Sequence, residues 1–253
     1  MRKAASIVLA MFYAAFAFVV TAQAADNPTN KTVKINSDAL KMQIAEKLKD
    51  TKITINSVGD TPVEGVYEVI GNNGATLVYY APKADVVIFG EMYDQSRKSI
   101  TAARKIELQS AKIKDIPLAD AIRIGSGKNV VVEFTDPDCP YCRQAAKLFE
   151  GKNVTQYVFL FPLKGLHPQA EDKCKYILSA ADPGKAYYEV INGWKDKDDL
   201  ANLAVKDEIK NKVKKLEELG RKLGIAGTPA IWINGNYVPG VNQKMIESLL
   251  AEK

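Results

Sequence analysis

The sequence has few of the residues that bind transition metals. Its 253 residues include three cysteines and one histidine. Cys139 and Cys142 are separated by two residues, and the only other candidate ligands of this kind are Cys174 and His167. A structural zinc site needs four ligands. A zinc site is therefore a weak alternative for the Cys139 and Cys142 pair. An inert disulfide is a second weak alternative. We expect neither a metal nor a cofactor.

The sequence also lacks a strong excess of either charge. It has 35 basic and 30 acidic residues and a net charge of +5, and two of the basic residues, Arg2 and Lys3, belong to the leader described below. The remaining excess is too small to indicate a nucleic-acid partner. No internal repeat or low-complexity tract is present, and the length allows one or two globular domains.

Residues 1–24 have the pattern of a secretory signal peptide. Arg2 and Lys3 precede the apolar run 4–20, and Ala22-Gln23-Ala24 provides a small-x-small cleavage site. A membrane anchor is the alternative, but a run of roughly 17 residues is shorter than the span of about 20 that a helix needs. No cysteine lies beside the site to accept a lipid. We expect cleavage near Ala24 and export to a compartment where disulfides persist.

Residues 25–93 are predicted to form a small unit of one helix and an antiparallel sheet. Leu40, Ile44 and Leu48 recur every four residues after Ser37, which predicts a helix with one apolar face. Strands are predicted at residues 52–56, 63–70, 76–80 and 86–89, with a turn at 71–74. Such a unit is marginally stable alone and has an edge strand that needs covering. It is therefore a candidate dimerisation domain.

Residues 94–125 are predicted to link two domains. This stretch is polar, and a helix over 101–114 would have Ile106 and Ile113 on one side. A surface helix within a single domain is the alternative, but the composition changes on both sides of the stretch. Residues 118–124 are predicted as a second short helix.

Residues 126–253 follow the order strand, helix, strand, long helical stretch, two strands, helix. The first strand starts at Lys128 and leads into Cys139-Pro140-Tyr141-Cys142, and an Asn234-Gly235 turn joins the last two strands. A strand that runs into Cys-x-x-Cys at the start of a helix is the sequence form of a thioredoxin-like redox site. We therefore expect an α+β protein whose second domain has a thioredoxin fold with a helical insertion.

The two cysteines of this motif are predicted to have different roles. Cys139 is expected to be the attacking thiolate, because a helix N-terminus stabilises negative charge. Pro140 fits the first helical turn, where its missing N–H has no cost. Cys142 lies one turn further in and is the expected resolving thiol. Attack on a substrate disulfide gives a mixed disulfide, which a second substrate thiol or Cys142 can release.

Glu133 interrupts an otherwise apolar strand and shares a face with Val131 and Thr135. Its offset from Cys139 matches that of the buried acid in thioredoxin-like proteins. An ionisable group in a central strand is costly unless it has a task. We interpret Glu133 as the proton acceptor for Cys142, with a solvated side chain at the strand end as the alternative.

Substrate binding is predicted at Pro140, Tyr141, Thr228 and Pro229. In a thioredoxin arrangement the proline before the later strand is cis and packs against the cysteines, and the Thr228 backbone can pair with an extended substrate. Tyr141 offers an apolar surface, although a packing role is equally open. Cys174 is interpreted as a buried unpaired thiol, or alternatively as a partner in an intermolecular disulfide. A surface or capping role is expected for His167.

The mature sequence as a whole resembles the DsbC/DsbG family of periplasmic disulfide isomerases. The resemblance is carried by Gly90-Glu91-Met92-Tyr93-Asp94, by residues 134–142, and by segments 161–166, 227–230 and 238–240. The Cys-x-x-Cys motif alone would be weak. Together with the leader, the N-terminal unit and the threonine-proline loop, it is specific.

The resemblance implies a V-shaped homodimer joined through cystatin-like N-terminal dimerisation domains. Two catalytic domains would face an apolar cleft that holds misfolded exported proteins, with chaperone-like activity. A membrane-bound thiol reductant of the DsbD type would keep the site reduced. We thus expect a periplasmic thiol:disulfide isomerase or reductase, with a dithiol oxidase and a holdase chaperone as alternatives.

The sequence departs from the family pattern at three points. Pro140-Tyr141 is closer to DsbG, whereas Thr228 matches DsbC. The additional structural disulfide of the family has no counterpart, since Ser179 stands about where one of its cysteines would be. Glu133 resembles the acid of the oxidase DsbA. These departures concern the redox poise and leave the class of chemistry unchanged.

Overall fold

The computed structural model of the chain describes residues 37–198 and 200–251. The predicted leader, residues 1–24, lies outside these ranges. In the first half of the described chain the main elements are α1 Ser37–Leu48, β1 Ile55–Asp60, β2 Tyr67–Gly71, β3 Thr76–Ala81, β4 Val86–Ile88, α2 Ile100–Ala111, β5 Ile122–Ile124 and β6 Asn129–Thr135. The second half has α3 Pro140–Phe149, β7 Val154–Leu160, α4 Ala170–Ser179, α5 Pro183–Ile191, α6 Asp207–Lys222, β8 Ala230–Ile233, β9 Asn236–Val238 and α7 Gln243–Ala251.

The N-terminal part is an antiparallel sheet in the order β1-β2-β3-β4, preceded by α1. The predicted apolar face of α1 is confirmed, because Leu40, Ile44 and Leu48 are all buried. The strand predicted at 52–56 was placed too early. The ladder of β1 extends from Ile55 to Asp60, and most of that strand is polar and half-exposed. Its position is therefore set by pairing with β2 rather than by an alternating apolar pattern.

Helix α2 contacts both sheets. On the N-terminal side, Arg104 forms a two-pronged ion pair with Glu68 of β2 at 2.8–3.2 Å. On the other side, the Trp232 Nε1–H donates to the carbonyl of Gln109 at 2.8 Å. The predicted linker helix is thus packed between two sheets, and it ends at Ala111, before a short 3₁₀ turn. The predicted domain boundaries stay a prediction.

The prediction of a helix over residues 118–124 was wrong in its second half. Only Leu118–Asp120 forms a helical turn, of the 3₁₀ type, and Ile122–Ile124 is strand β5. Ile122 pairs with Val158 of β7 and is buried, whereas Arg123 is exposed. This alternation has the period of a strand, and pairing with β7 determines the outcome.

The C-terminal part contains a five-stranded sheet in the order β5-β7-β6-β8-β9. The central strand β6 is parallel to β7 and antiparallel to β8, so β6-α3-β7 is a βαβ unit. One apolar cluster joins α3 and α7 to Val131 and Ile231, and a second joins α4 and α6 to Phe134 and Trp232. The Phe134 and Phe159 rings stack at a centroid distance of 4.7 Å and fix β6 beside β7. This packing positions the end of β6 and the start of α3.

None of the helices in the described part of the chain has the length and apolar character needed to cross a bilayer.

Candidate functional site

The loop after β6 brings both cysteines of the motif to the start of α3. Cys139 is the N-cap residue, with extended backbone, and Pro140 occupies the first turn. Cys142 lies one turn in, and its Sγ accepts a hydrogen bond from the backbone N–H of Asp136 at 3.4 Å. Both thiols are free, with Cys139 5% exposed and Cys142 0% exposed. The first thiol is therefore at the helix N-terminus and nearer the surface, as predicted.

The two thiols have pKa shifts of opposite sign. The pKa of Cys139 is lowered, chiefly by a hydrogen bond from the Cys142 thiol and also by the Cys142 backbone N–H and by Thr228, although burial opposes this. The pKa of Cys142 is raised by burial and then by the neighbouring Cys139. A thiolate at the helix start beside a protonated thiol is the ionisation pattern of a nucleophile and its resolving partner.

The loop before β8 lies against the first thiol. The Thr228–Pro229 peptide bond is cis, as predicted. The Cys139 thiol donates to the carbonyl oxygen of Thr228 at 3.5 Å. Pro140 is exposed, and Tyr141 is 64% exposed, so its aromatic ring is open to solvent rather than packed in the core. The four residues predicted to bind substrate therefore lie around Cys139.

Glu133 lies in the interior at 1% exposure, which excludes the alternative of a solvated strand end. Its Oε1 accepts hydrogen bonds from the Tyr187 hydroxyl at 2.5 Å and from Gln156 Nε2 at 3.0 Å. Burial raises the pKa of Glu133 to about 7, although both hydrogen bonds act to lower it. The carboxyl group is therefore suited to exchange a proton near neutral pH.

Glu133 and Cys142 share no hydrogen bond in the described part of the chain. Tyr187 and Thr135 both lie close to Cys142. The Tyr187 hydroxyl contacts Glu133, and its pKa, raised first by burial, is also raised by the charge of Cys142. Thr135 acts to lower the pKa of both Cys142 and Tyr187. Thr135 Oγ1 and Glu133 Oε2 are buried and have no hydrogen-bond partner of ordinary geometry among the described residues.

The loop between β6 and Cys139 is held by Asp136, which is fully buried. Its Oδ1 accepts from the backbone N–H of Asp138 at 2.8 Å. Its Oδ2 accepts from the backbone N–H of Leu163 at 2.6 Å and lies 3.0 Å from His167 Nδ1. His167, expected in a surface or capping role, is thus partly buried and bonded to the loop that carries the cysteines.

The sequence did not single out Tyr187, Lys173, Arg143 or Asp196, which all contact residues of this site. The sequence did contain an indication that basic residues lie near the site. Two acids flanking Pro137 directly before a thiolate need compensating positive charge. Nothing in the sequence shows which of the 35 basic residues provides it.

Cys174 of α4 is fully buried and free, and burial raises its pKa well above the ordinary value. This favours the interpretation as an unpaired core thiol over an intermolecular disulfide. Within the described residues, no cluster of three or more His, Cys, Asp or Glu side chains has the arrangement of a metal site.

Two family models match the chain. The model for the disulfide bond isomerase protein N-terminal domain matches residues 21–102, and a thioredoxin-like domain model matches residues 118–252. Among solved structures, a disulfide interchange protein from Neisseria gonorrhoeae is 28% identical with a TM-score of 0.44, over 54% of this chain and 100% of that one.

Curated relatives match most of the chain. A Bordetella pertussis protein named "Probable thiol:disulfide interchange protein DsbC" is 32% identical over 81% of this chain and 70% of its own length. The Escherichia coli K12 protein named "Thiol:disulfide interchange protein DsbC" is 28% identical over 78% of this chain and 81% of its own length. With its N-terminal domain, thioredoxin-like domain and paired thiols, the chain belongs to the DsbC family of thiol:disulfide interchange proteins.

Proposed function

We propose that this thiol:disulfide oxidoreductase is an isomerase and reductase that rearranges wrong disulfides in exported proteins. The observation that carries the proposal is the placement of Cys139 at the helix start beside the cis Thr228–Pro229 bond, with pKa shifts of opposite sign for Cys139 and Cys142. A thiolate at a helix start is a nucleophile toward disulfides, and Cys139, at 5% exposure, is the less buried of the two thiols. The carbonyl of Thr228 lies within reach of that thiol and offers a backbone acceptor to an extended substrate.

The reaction starts with attack of the Cys139 thiolate on one sulfur of a substrate disulfide. The new S–S bond forms as the substrate bond breaks, and the second substrate sulfur leaves as a thiolate. If another substrate thiolate attacks the substrate sulfur of this mixed disulfide, Cys139 is released unchanged, and the substrate is isomerised without net oxidation. If Cys142 attacks the Cys139 sulfur instead, the substrate is reduced by two electrons and the enzyme pair is oxidised.

Glu133 is proposed to accept the Cys142 proton during that second route. Cys142 must lose its proton before it can attack, and burial disfavours its thiolate. The Glu133 carboxyl, with a pKa raised by burial to about 7, can take the proton through Tyr187 and Thr135. An oxidised pair must then be reduced by a dithiol donor, for which we propose a membrane thiol reductant of the DsbD type.

A homodimer formed through the N-terminal sheet is part of the proposal. Strand β4 is an edge of that sheet, and Val86, Ile88 and the following Phe89 are 45%, 41% and 64% exposed. An apolar edge strand of this kind needs a partner, and a second copy would supply one. The match of residues 21–102 to the isomerase N-terminal domain supports this assignment. The leader pattern in residues 1–24 supports a periplasmic location.

The decisive experiment is refolding of a protein with scrambled disulfides by the reduced enzyme. We expect recovery well above that given by a small monothiol at equal thiol concentration. Cys139→Ala is expected to abolish the gain, whereas Cys174→Ala, which removes a buried thiol distant in the chain, is expected to keep it. Recovery no better than that of the small thiol would defeat the isomerase assignment.

A dithiol oxidase is the second candidate, because the lowered pKa of Cys139 stabilises the reduced enzyme and so raises its oxidising power. The reduction potential and the solution mass distinguish the two. An isomerase is expected to be dimeric and a better catalyst when reduced, whereas a monomer that oxidises reduced substrates faster than it rearranges disulfides would favour the oxidase. Rescue of clients by a Cys139→Ala, Cys142→Ala variant would favour a holdase chaperone.

A further inference from the structure

Four charged side chains from four segments meet beside the loop that leads into Cys139. Lys173 Nζ of α4 donates to Asp138 Oδ1 at 2.5 Å and to Asp196 Oδ1 at 2.6 Å. Arg143 of α3 donates to Asp196 through Nη1 at 2.6 Å and through Nη2 at 2.7 Å. Its Nη2 also donates to Asp138 Oδ1 at 3.2 Å. Its Nε donates to the carbonyl of Pro137 at 3.1 Å. We call Lys173, Arg143, Asp138 and Asp196 the charge cluster.

The burial of Lys173 distinguishes this cluster from a surface ion pair. The residue is 3% exposed, and an ammonium group is very rarely buried without full compensation. Compensation is complete here, because two carboxylates face the two cations and the cluster has no net charge. The pKa of Asp196 is held well below its usual range by Arg143 and then by Lys173.

The backbone at Gly193, shortly after α5, allows Asp196 to reach the charge cluster. Its φ of +83° is unfavourable for residues with a side chain. A Cβ at this position would lie 3.0 Å from Asp196 Oδ2 and 3.3 Å from an Arg143 terminal nitrogen. The glycine therefore permits both the turn and the close approach of the two charged groups.

The position of Asp138, directly before Cys139, gives the cluster a consequence for the chemistry. A carboxylate next to a thiol disfavours the thiolate unless cations offset it. We propose that Lys173, together with Arg143, is a positioning residue for the Cys139 thiolate: it neutralises Asp138 and ties the loop before α3 to α4 and to the chain after α5. This inference rests on the proposed role of Cys139 as the nucleophile.

Three other titratable groups near this loop, Asp136, Cys142 and Cys174, lie outside the charge cluster. Asp136 is bonded to His167 and to two backbone N–H groups, and Cys142 lies within the Cys-x-x-Cys turn. Cys174, on α4 next to Lys173, is buried and protonated. These groups are unchanged in the variants below, so that differences between the variants report on the charge cluster.

The test is the pH profile of Cys139 alkylation by iodoacetamide in the reduced full-length protein, with the labelled residue identified by peptide mass. Lys173→Met leaves two carboxylates against one arginine, so we expect the pH midpoint of Cys139 alkylation to rise. At pH values below the wild-type midpoint, the alkylation rate is expected to fall about three- to tenfold. Asp138→Asn leaves an excess positive charge and is expected to lower the midpoint. The double variant restores balance, and a profile close to wild type is expected.

If Lys173 served only to pack the loop, the two single variants would not shift the alkylation midpoint in opposite directions. An unchanged midpoint in Lys173→Met, or a double variant that remains as shifted as Lys173→Met, would overturn the proposal. If Lys173→Met does not fold, Arg143→Gln takes its place, because it also removes one of the two cations that face Asp138 and Asp196. A raised midpoint then supports the proposal, and an unchanged or lowered one refutes it. Iodoacetamide is a small molecule, so its reaction with Cys139 does not depend on the binding of a protein substrate. Failure of the isomerase assignment would therefore appear in the refolding assay and not in the alkylation profile. Preferential labelling of Cys142 in the wild type would instead refute the nucleophile assignment.

Discussion

The Tyr187 hydroxyl donates a hydrogen bond to Glu133 Oε1 at 2.5 Å, and both residues are buried. The contact joins α5 of the helical insertion to the central strand β6. Because a phenol donor stabilises a carboxylate more than a carboxylic acid, Tyr187 offsets part of the effect of burial on Glu133. The proton affinity of Glu133 therefore depends on a residue that lies 54 positions later in the chain.

Replacement of Tyr187 by Phe is expected to raise the pKa of Glu133 above its value of about 7. Burial remains, whereas one of two hydrogen bonds that lower the pKa is lost. The pKa can be followed through the carboxyl ¹³C shift of labelled Glu133 or by infrared difference spectra. Tyr188→Phe is a matched control, since the Tyr188 hydroxyl donates to Gln156 Oε1 and not to Glu133. Equal shifts in both variants would contradict the assignment.

Glu133→Gln is expected to make the folded protein more stable than wild type at alkaline pH. The folded pKa of about 7 lies above the ordinary value of 4.5, so the wild type loses stability as the pH rises from about 4.5 to about 7 and then reaches a plateau. The difference corresponds to a loss on the order of 3 kcal/mol. Glutamine keeps an oxygen acceptor for Tyr187 and Gln156 and does not ionise.

The measurement is urea unfolding of both proteins under reducing conditions at several pH values. We expect near-equal stability at pH 4 and a growing advantage of Glu133→Gln up to about pH 8. A difference that does not depend on pH would mean that Glu133 is not protonated in the folded protein near neutrality. In the redox assay, an unchanged rate of release from the mixed disulfide would remove its proposed role in proton transfer.

The sequence predicted those parts of the site that depend on local order along the chain. The position of Cys139 at a helix start and the inward orientation of Glu133 follow from the strand-helix order and its periodicity. The cis Thr228–Pro229 bond was expected from the thioredoxin-like fold instead. Lys173 and Asp196 could not be recognised, because a lysine and an aspartate in a charged helical region are most often solvated. Only the packing of α4 and the chain after α5 against α3 brings them together.

Iodoacetamide is expected to label the reduced protein at Cys139 and to spare Cys142 and Cys174 at pH 6. The lowered pKa of Cys139 gives it a substantial thiolate fraction there, whereas burial raises the pKa of the other two thiols. Peptide mass mapping measures the labelling of each cysteine. In a Cys142→Ala variant, mixed disulfides at Cys139 should accumulate with a disulfide substrate, because the resolving thiol is absent. Rapid labelling of Cys142 would reverse the proposed roles.

Gly224→Ala is expected to destabilise the contact between the N-terminal sheet and the loop that leads to Thr228. Gly224 has a φ of +66°, and a Cβ would lie 2.6 Å from the backbone oxygen of Asn72 and 2.7 Å from that of Asn73. Backbone atoms cannot rotate away as side chains do, so we expect a loss of about 3 kcal/mol or more in the free energy of unfolding.

Gly235→Ala is the matched control for this variant. Gly235 also has a positive φ, of +87°, but beyond its chain neighbours no atom lies within 4 Å of the position that a Cβ would take. Alanine there carries only the cost of the left-handed backbone, about 1–2 kcal/mol. Urea unfolding of the two variants separates the steric term from the backbone term. Equal losses would show that the turn at Asn72 moves freely away from Gly224, and that the two parts of the protein are not held together at this contact.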